Sequence, residues 1–164
     1  MKRVILDTHI YGLIAVDDER ERIKNSIVSS VMPVYGSYII RKELRNTKRG
    51  YVDGINLRNI LLSLYQEITR NRELKQQPNE KDMAGDYFTA YRQLGGNTSF
   101  TKLQSDFLIV ASATLNNLDI VVSEDNATMI NDLTLKAYTI VNNALKLRTP
   151  RFIGYGEFKK ELKK

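Results

Sequence analysis

The 164-residue chain contains no cysteine, so disulfides, thiolate metal sites and cysteine nucleophiles are excluded. Its single histidine, His9, rules out His-rich zinc sites. A Ser-His-Asp triad would need a nucleophile beside that histidine, and no G-x-S-x-G is present to supply one. The glycine-rich turns that cradle nucleotide phosphates, G-x-x-x-x-G-K-[ST] and G-x-G-x-x-G, are missing as well. No apolar run approaches the length of a bilayer. The run Val4-Ile5-Leu6, after Lys2-Arg3, is stopped at Asp7, far short of the apolar core of a signal peptide. A cytoplasmic chain with no membrane partner is therefore expected. What survives for catalysis is carboxylate chemistry through a hard metal ion.

The residues that are present describe an ordinary globular chain, 42% apolar and 27% charged, of a size that suits one domain with a substantial core. Neither a repeat nor a domain-sized linker interrupts it. The expected domain covers residues 1–158, followed by a charge-rich end, 159–164. Basic residues outnumber acidic ones, 25 to 19, giving a formal charge of +6. Such an excess fits a polyanionic partner, which for a cytoplasmic chain means nucleic acid. It fits an ordinary solvated surface equally well.

Arg3-Val4-Ile5-Leu6 reads as a short buried strand ending at Asp7. Residues 17–31 carry Ile23, Ile27 and Val31 at i, i+4 and i+8, predicting an amphipathic helix closed by Pro33. Val34-Tyr35 forms a second short strand, and Tyr38-Ile39-Ile40 leads into a basic segment. Helices are predicted over 55–69, from about 80 to Gly95-Gly96, and over 101–117. Ile120-Val121-Val122 is the clearest later strand. A helix near 127–131 and an extended piece near 138–141 complete the reading. Short apolar strands alternating with helices imply a parallel sheet covered on both faces. In such sheets the working crevice lies beyond the carboxyl ends of the strands.

Polar residues just after strands therefore matter most. Asp7 follows the first strand, and Asp125 lies two residues past the strand ending at Val122. Each alone could be a turn or cap residue. Asp106 precedes Phe107–Leu115, apolar almost all round, and shares a helical face with Ile109, Val110 and Ala113. A carboxylate there costs several kcal/mol unless it is paired or metal-bound. A cap shared with Ser105 is the competing reading. Glu43 shares a face with Ile39 and Ile40, and by periodicity alone it is a surface partner for Arg41, Lys42 or Arg45.

Val4-Ile5-Leu6-Asp7-Thr8, Glu43 after an apolar turn, Asp106-x-x-Ile109-x-Ala111-x-Ala113, and Ser123-Glu124-Asp125 after a strand occur in this order. Together they resemble the PIN-domain nucleases from residue 3 to about 158. The end, Arg148-Thr149-Pro150-Arg151-Phe152 through Glu157-Phe158, is similar to closing segments of archaeal and bacterial members. The resemblance implies an α/β fold, a three-layer α/β/α sandwich with a parallel sheet in the order 3-2-1-4-5. It places Asp7, Glu43, Asp106 and Asp125 as catalytic acids, with Asp7, Asp106 and Asp125 as metal ligands. Ser123 and Thr8 take supporting positions. Glu124 competes with Asp125 for the fourth place, although Asp125 fits the Ser-x-Asp spacing better. His9 stands where many members carry Asn or Ser. Several carboxylates within a few ångströms bind a cation or stay partly protonated, and all-oxygen donors favour Mg²⁺ or Mn²⁺. The resemblance implies RNA hydrolysis by in-line attack of a metal-activated water, leaving a 5′-phosphate and a 3′-hydroxyl.

The basic run Arg41, Lys42, Arg45, Lys48 and Arg49 adjoins Glu43 and is a candidate grip on the RNA backbone. Small PIN proteins are often toxins of VapBC-type toxin–antitoxin pairs, which form homodimers and are blocked by an antitoxin. The resemblance also suits a stand-alone RNA-processing nuclease or a non-catalytic RNA-binding module. A haloacid-dehalogenase-type phosphatase needs Asp-x-Asp, and residue 9 is His.

Overall fold

The computed structural model describes residues 1–164. Strand β1 (Val4–Leu6) is inaccessible along its whole length, because it runs parallel between two neighbours. On one side lies β2 (Val34–Tyr35), and on the other β5 (Ile120–Val122), which pairs in turn with β6 (Arg151–Ile153). All three pairings are parallel. The sheet thus has four strands in the order β2-β1-β5-β6, where five were expected. The place beyond β2 is held by residues 72–74, which make a single parallel bridge, Gly36 to Glu73. Two backbone bonds complete it, Gly36 N–H to the Arg72 carbonyl at 2.8 Å and Leu74 N–H to the Gly36 carbonyl at 2.8 Å. An edge this short offers little to an unwanted pairing chain.

The helices pack in two groups around this sheet. The first holds α1 (Thr8–Val16), α2 (Arg20–Ser29), α3 (Tyr38–Arg45) and α4 (Leu57–Thr69). A small antiparallel hairpin, β3 (Tyr51–Val52) and β4 (Ile55–Asn56), leads into α4. The second group holds α5 (Glu80–Gln93), α6 (Phe100–Leu115) and α7 (Asp132–Ala144), and α8 (Tyr155–Glu161) ends the chain. No helix is long and apolar enough to cross a membrane.

Local chemistry sets several boundaries. The Ser37 hydroxyl accepts from Ile40 N–H and starts α3. Asn56 and Asn131 do the same for α4 and α7. The first group begins with α1, so the helix expected over 17–31 is shortened to α2. Asp17 forms the turn between them by accepting from Glu19 N–H at 2.8 Å.

Two other expectations fail. Residues 127–131 form a turn: Asp125 accepts from the Ala127 and Thr128 N–H groups, but the next backbone bond, Ile130 N–H to the Asp125 carbonyl, spans five residues where an α-helix needs four. The β-favouring run Tyr138-Thr139-Ile140-Val141 is helical. Thr134, Ala137, Tyr138, Val141 and Asn142 are buried at three- and four-residue spacing, so packing overrides propensity. The missed strand β6 is too short and too exposed at Arg151 to show a pattern. The charged end beyond 158 belongs partly to α8. There Lys159 pairs with Asp17 at 3.0 Å, and Glu161 meets Lys2 at 3.1 Å.

Candidate acidic site

Four acids from four elements come together beyond the carboxyl ends of β1 and β5. Asp7 is the residue at which β1 turns into α1, and its N–H still donates to the Val122 carbonyl at 2.9 Å. Its carboxylate is buried and accepts from the Ser123 hydroxyl at 2.8 Å. Ser123 is itself fully buried and also accepts from Asp125 N–H at 3.0 Å. One hydroxyl thus ties the end of β1 to the loop after β5. The Thr8 hydroxyl donates to Glu43 on α3. Glu43 forms no ion pair with its basic neighbours, so the surface pair that periodicity favoured is not what the fold builds.

Asp106 lies in the second turn of α6, well inside a helix that starts at Phe100. It is not a cap, and the Ser105 alternative falls. Asp125 holds its own turn, its Oδ1 accepting from Ala127 N–H at 3.1 Å and Thr128 N–H at 2.9 Å. Its other oxygen meets the Thr128 hydroxyl at 2.6 Å. The same hydroxyl makes a short contact to Asp106. Thr128 therefore bridges two acids from different elements. Sequence reading missed it, because the expected helix over 127–131 gave it no special place. A Thr three residues after an Asp, at an Asx-type turn, is the signal that was available. Glu124 points elsewhere: it accepts from Tyr155 N–H at the start of α8, so Asp125 is the acid that joins the group.

The electrostatics follow from this crowding. Burial raises the Asp7 pKa above the usual carboxylate range. The Ser123 bond opposes that shift, and the charges of Glu43 and Asp125 add to it. Asp106 is pushed up to about 7, again first by burial, with Thr128 opposing and Asp7, Asp125 and Glu43 repelling. A hydroxyl has one proton to give, so Thr128 cannot donate to both Asp106 and Asp125. With its pKa raised, the acid form of Asp106 would supply the proton for the second contact.

The carboxylates are thus close enough to perturb one another. None of the four belongs to an ion pair, whereas Glu161, Glu73, Asp119 and Asp17 elsewhere in the chain are each matched with a Lys or Arg. As the side chains stand, no three His, Cys, Asp or Glu groups are arranged to hold a metal ion. The donor set, carboxylate and hydroxyl oxygen only, still suits Mg²⁺ or Mn²⁺. None of the most pronounced surface hollows is lined by these acids.

The basic run divides. Residues two apart on a helix point about 200° away from each other, so Arg41 and Arg45 face away from Glu43. Arg41 pairs with Glu73 at 2.9 Å, and both arginines line a hollow against α4. Lys42, Lys48 and Arg49 are exposed and lie outside that hollow. His9 is exposed.

No family model matches the chain, and no curated protein matches it in sequence. Among solved structures, it resembles a chain of VapBC2 from Rickettsia felis, a crystal structure bound to a DNA fragment from their promoter. The TM-score is 0.54 over 93% of this chain and 98% of that one, at 11% identity. This likeness shows the fold: a central parallel sheet flanked by helices, consistent with a PIN-like α/β/α sandwich.

Proposed function

We propose that the protein is a metal-dependent endoribonuclease of the PIN type, acting as the toxin of a toxin–antitoxin pair. The observation that carries the reading is a group of four acids, at the carboxyl ends of parallel strands, without one basic partner in a chain of net charge +6. Buried or crowded carboxylates are normally paired, and here the missing partner is a cation. Asp7, Asp106 and Asp125 would hold Mg²⁺ or Mn²⁺, with Glu43 completing the group. The bound ion supplies a positive charge for a phosphate oxygen and acidifies a water.

The chain's own residues do the positioning. Ser123 fixes Asp7 relative to Asp125, Thr8 fixes Glu43, and Thr128 spaces Asp106 from Asp125. Exposed cations on and after α3 attract the RNA backbone toward a site that would otherwise repel it. The likeness in fold to a chain of the Rickettsia felis VapBC2 complex supports the toxin role, and with it an antitoxin partner.

The decisive experiment is cleavage of end-labelled RNA with Mg²⁺, Mn²⁺ or EDTA. Internal cuts with either metal and none in EDTA are expected. Metal-independent cleavage, or none under any condition, would sink the reading. Growth arrest on expression, relieved by the product of a neighbouring small reading frame, tests the toxin role separately.

A further inference from the structure

The hollow between α3 and α4 has a volume of about 370 Å³, within the range of small-ligand sites. Its walls are built, not incidental. Gly36 lacks a side chain where a Cβ would lie 2.0 Å from the Tyr65 hydroxyl. That space lets Tyr65 approach the Ser37 carbonyl at 3.2 Å and the Glu73 carboxylate at 3.1 Å. Glu73 is also neutralised by Arg41. The acid of the hollow is therefore already paired, and the free charge is that of Arg45. Gln66 and Asn71 add amide groups from the last turn of α4 and the loop after it. Neither their side chains nor Arg45 bonds to another side chain.

The geometry points to a second binding site here, for one nucleotide of the RNA strand away from the scissile phosphate. This inference rests on the nuclease reading and adds a subsite to it. A guanidinium suits a phosphate through paired N–H donors, and it can also stack on a base. Amide side chains present a donor and an acceptor side by side, as the edge of an unpaired base requires. Glu73, held in place, adds acceptor oxygens that favour a base edge over a bare anion. The hollow lies across α3 from Glu43, about one helix diameter, ~10 Å, from that acid. A strand passing over α3 can therefore occupy both sites. Single-stranded RNA, whose bases are free to turn outward, is the substrate class this arrangement fits.

The test measures binding without catalysis. Isotope-labelled protein in EDTA is titrated with nucleoside 5′-monophosphates, with inorganic phosphate, and with a short single-stranded oligoribonucleotide. NMR follows the side-chain amides of Gln66 and Asn71 and the Arg45 Nε–H. Nucleotides and the oligonucleotide should shift these signals at concentrations where phosphate does not. Arg45→Gln should weaken the nucleotide about tenfold or more, as expected for loss of a charge-assisted bond. Arg45 is exposed, so the variant should fold, and Gln66→Ala is a second variant on a different element.

Three results overturn the inference: no shifts in the hollow, phosphate binding as tightly as nucleotides, or mononucleotides binding where the oligonucleotide does not. Binding in the hollow by a protein that cuts no RNA with Mn²⁺ would overturn the nuclease reading and uphold the subsite. Cleavage without shifts in the hollow would do the reverse.

Discussion

Every acid of the group is held by a hydroxyl and none by a cation, which makes the site sensitive to single atoms. Asp7→Asn and Asp106→Asn remove charge and keep shape, so each should abolish metal-dependent cleavage while leaving the fold intact. Near wild-type cleavage by either variant would refute that assignment. Stability should report the same crowding. In the unfolded chain Asp106 titrates at about 4, and in the folded protein at about 7. Between those values the folded state holds a proton that the unfolded state has lost, so stability is full at the acid end and falls as pH rises through 7. Asp7, raised for the same reasons, contributes with the same sign. Thermal melts in EDTA at pH 5 and pH 8 should therefore show a lower midpoint at pH 8, and Asp106→Asn should narrow the gap. Thr128 makes a further prediction at this scale. Its backbone N–H serves the turn, and the next residue, Met129, is buried, with its carbonyl held by the Tyr138 hydroxyl at 2.8 Å. Thr128→Val should keep that turn and lose only the bridge between the acids. Loss of an outer-shell partner typically costs 10–100-fold in metal affinity or activity. Mn²⁺ titration by calorimetry should show a drop of about that size for Val and little change for Thr128→Ser. Equal affinities in all three proteins would make the bridge incidental.

Elements differ in how plainly they are written in the sequence, and the reasons are physical. Val4–Leu6 and Ile120–Val122 are legible because a strand buried on both faces must be apolar throughout. They lead directly to Asp7 and Asp125, and the apolar body of α6 leads to Asp106. Glu43 was legible only through resemblance, because its partner, Thr8, is 35 residues away. Helix α7 was misread where β-branched residues dominate, since burial period outweighs propensity. The edge of the sheet was misread because a single bridge at Glu73 leaves no strand-length pattern. That edge nevertheless carries a strict demand. A side chain at Gly36 would meet the Tyr65 hydroxyl at 2.0 Å and its ring carbon at 2.5 Å. Tyr65 is buried and its ring lies 5.4 Å from that of Tyr11, so it has little room to yield. Gly36→Ala should destabilise by about 1–3 kcal/mol, the usual cost of overpacking. Urea denaturation monitored by circular dichroism measures it, and a neutral variant would show that the edge can relax.

The whole molecule carries its positive charge unevenly with respect to pairing, and that governs how it would meet RNA. Arg41 is committed to Glu73, Arg148 to Asp119 and Lys159 to Asp17. Lys48 and Arg49, in the loop after α3, are exposed and belong to none of these pairs. If that loop carries the backbone of the RNA, counterion release makes each phosphate contact visible as salt dependence. For a single strand, log K falls against log salt by roughly 0.7 per neutralised phosphate. The variant Lys48→Gln with Arg49→Gln should therefore flatten the slope by roughly 1.4, two contacts at that value. Binding should weaken for every RNA sequence alike, because phosphate contacts carry no base identity. The acids are untouched, so saturating RNA should restore most of the cleavage rate. Arg41→Gln is the internal control: a guanidinium already paired has less charge to offer, so its effect on the slope should be less than half that of the double variant. Titrations of a labelled RNA at several salt concentrations, with EDTA present to prevent cutting, measure all three proteins. An unchanged slope in the double variant would place the backbone off this loop, and a larger effect from Arg41 would mean that RNA displaces Glu73 from its partner.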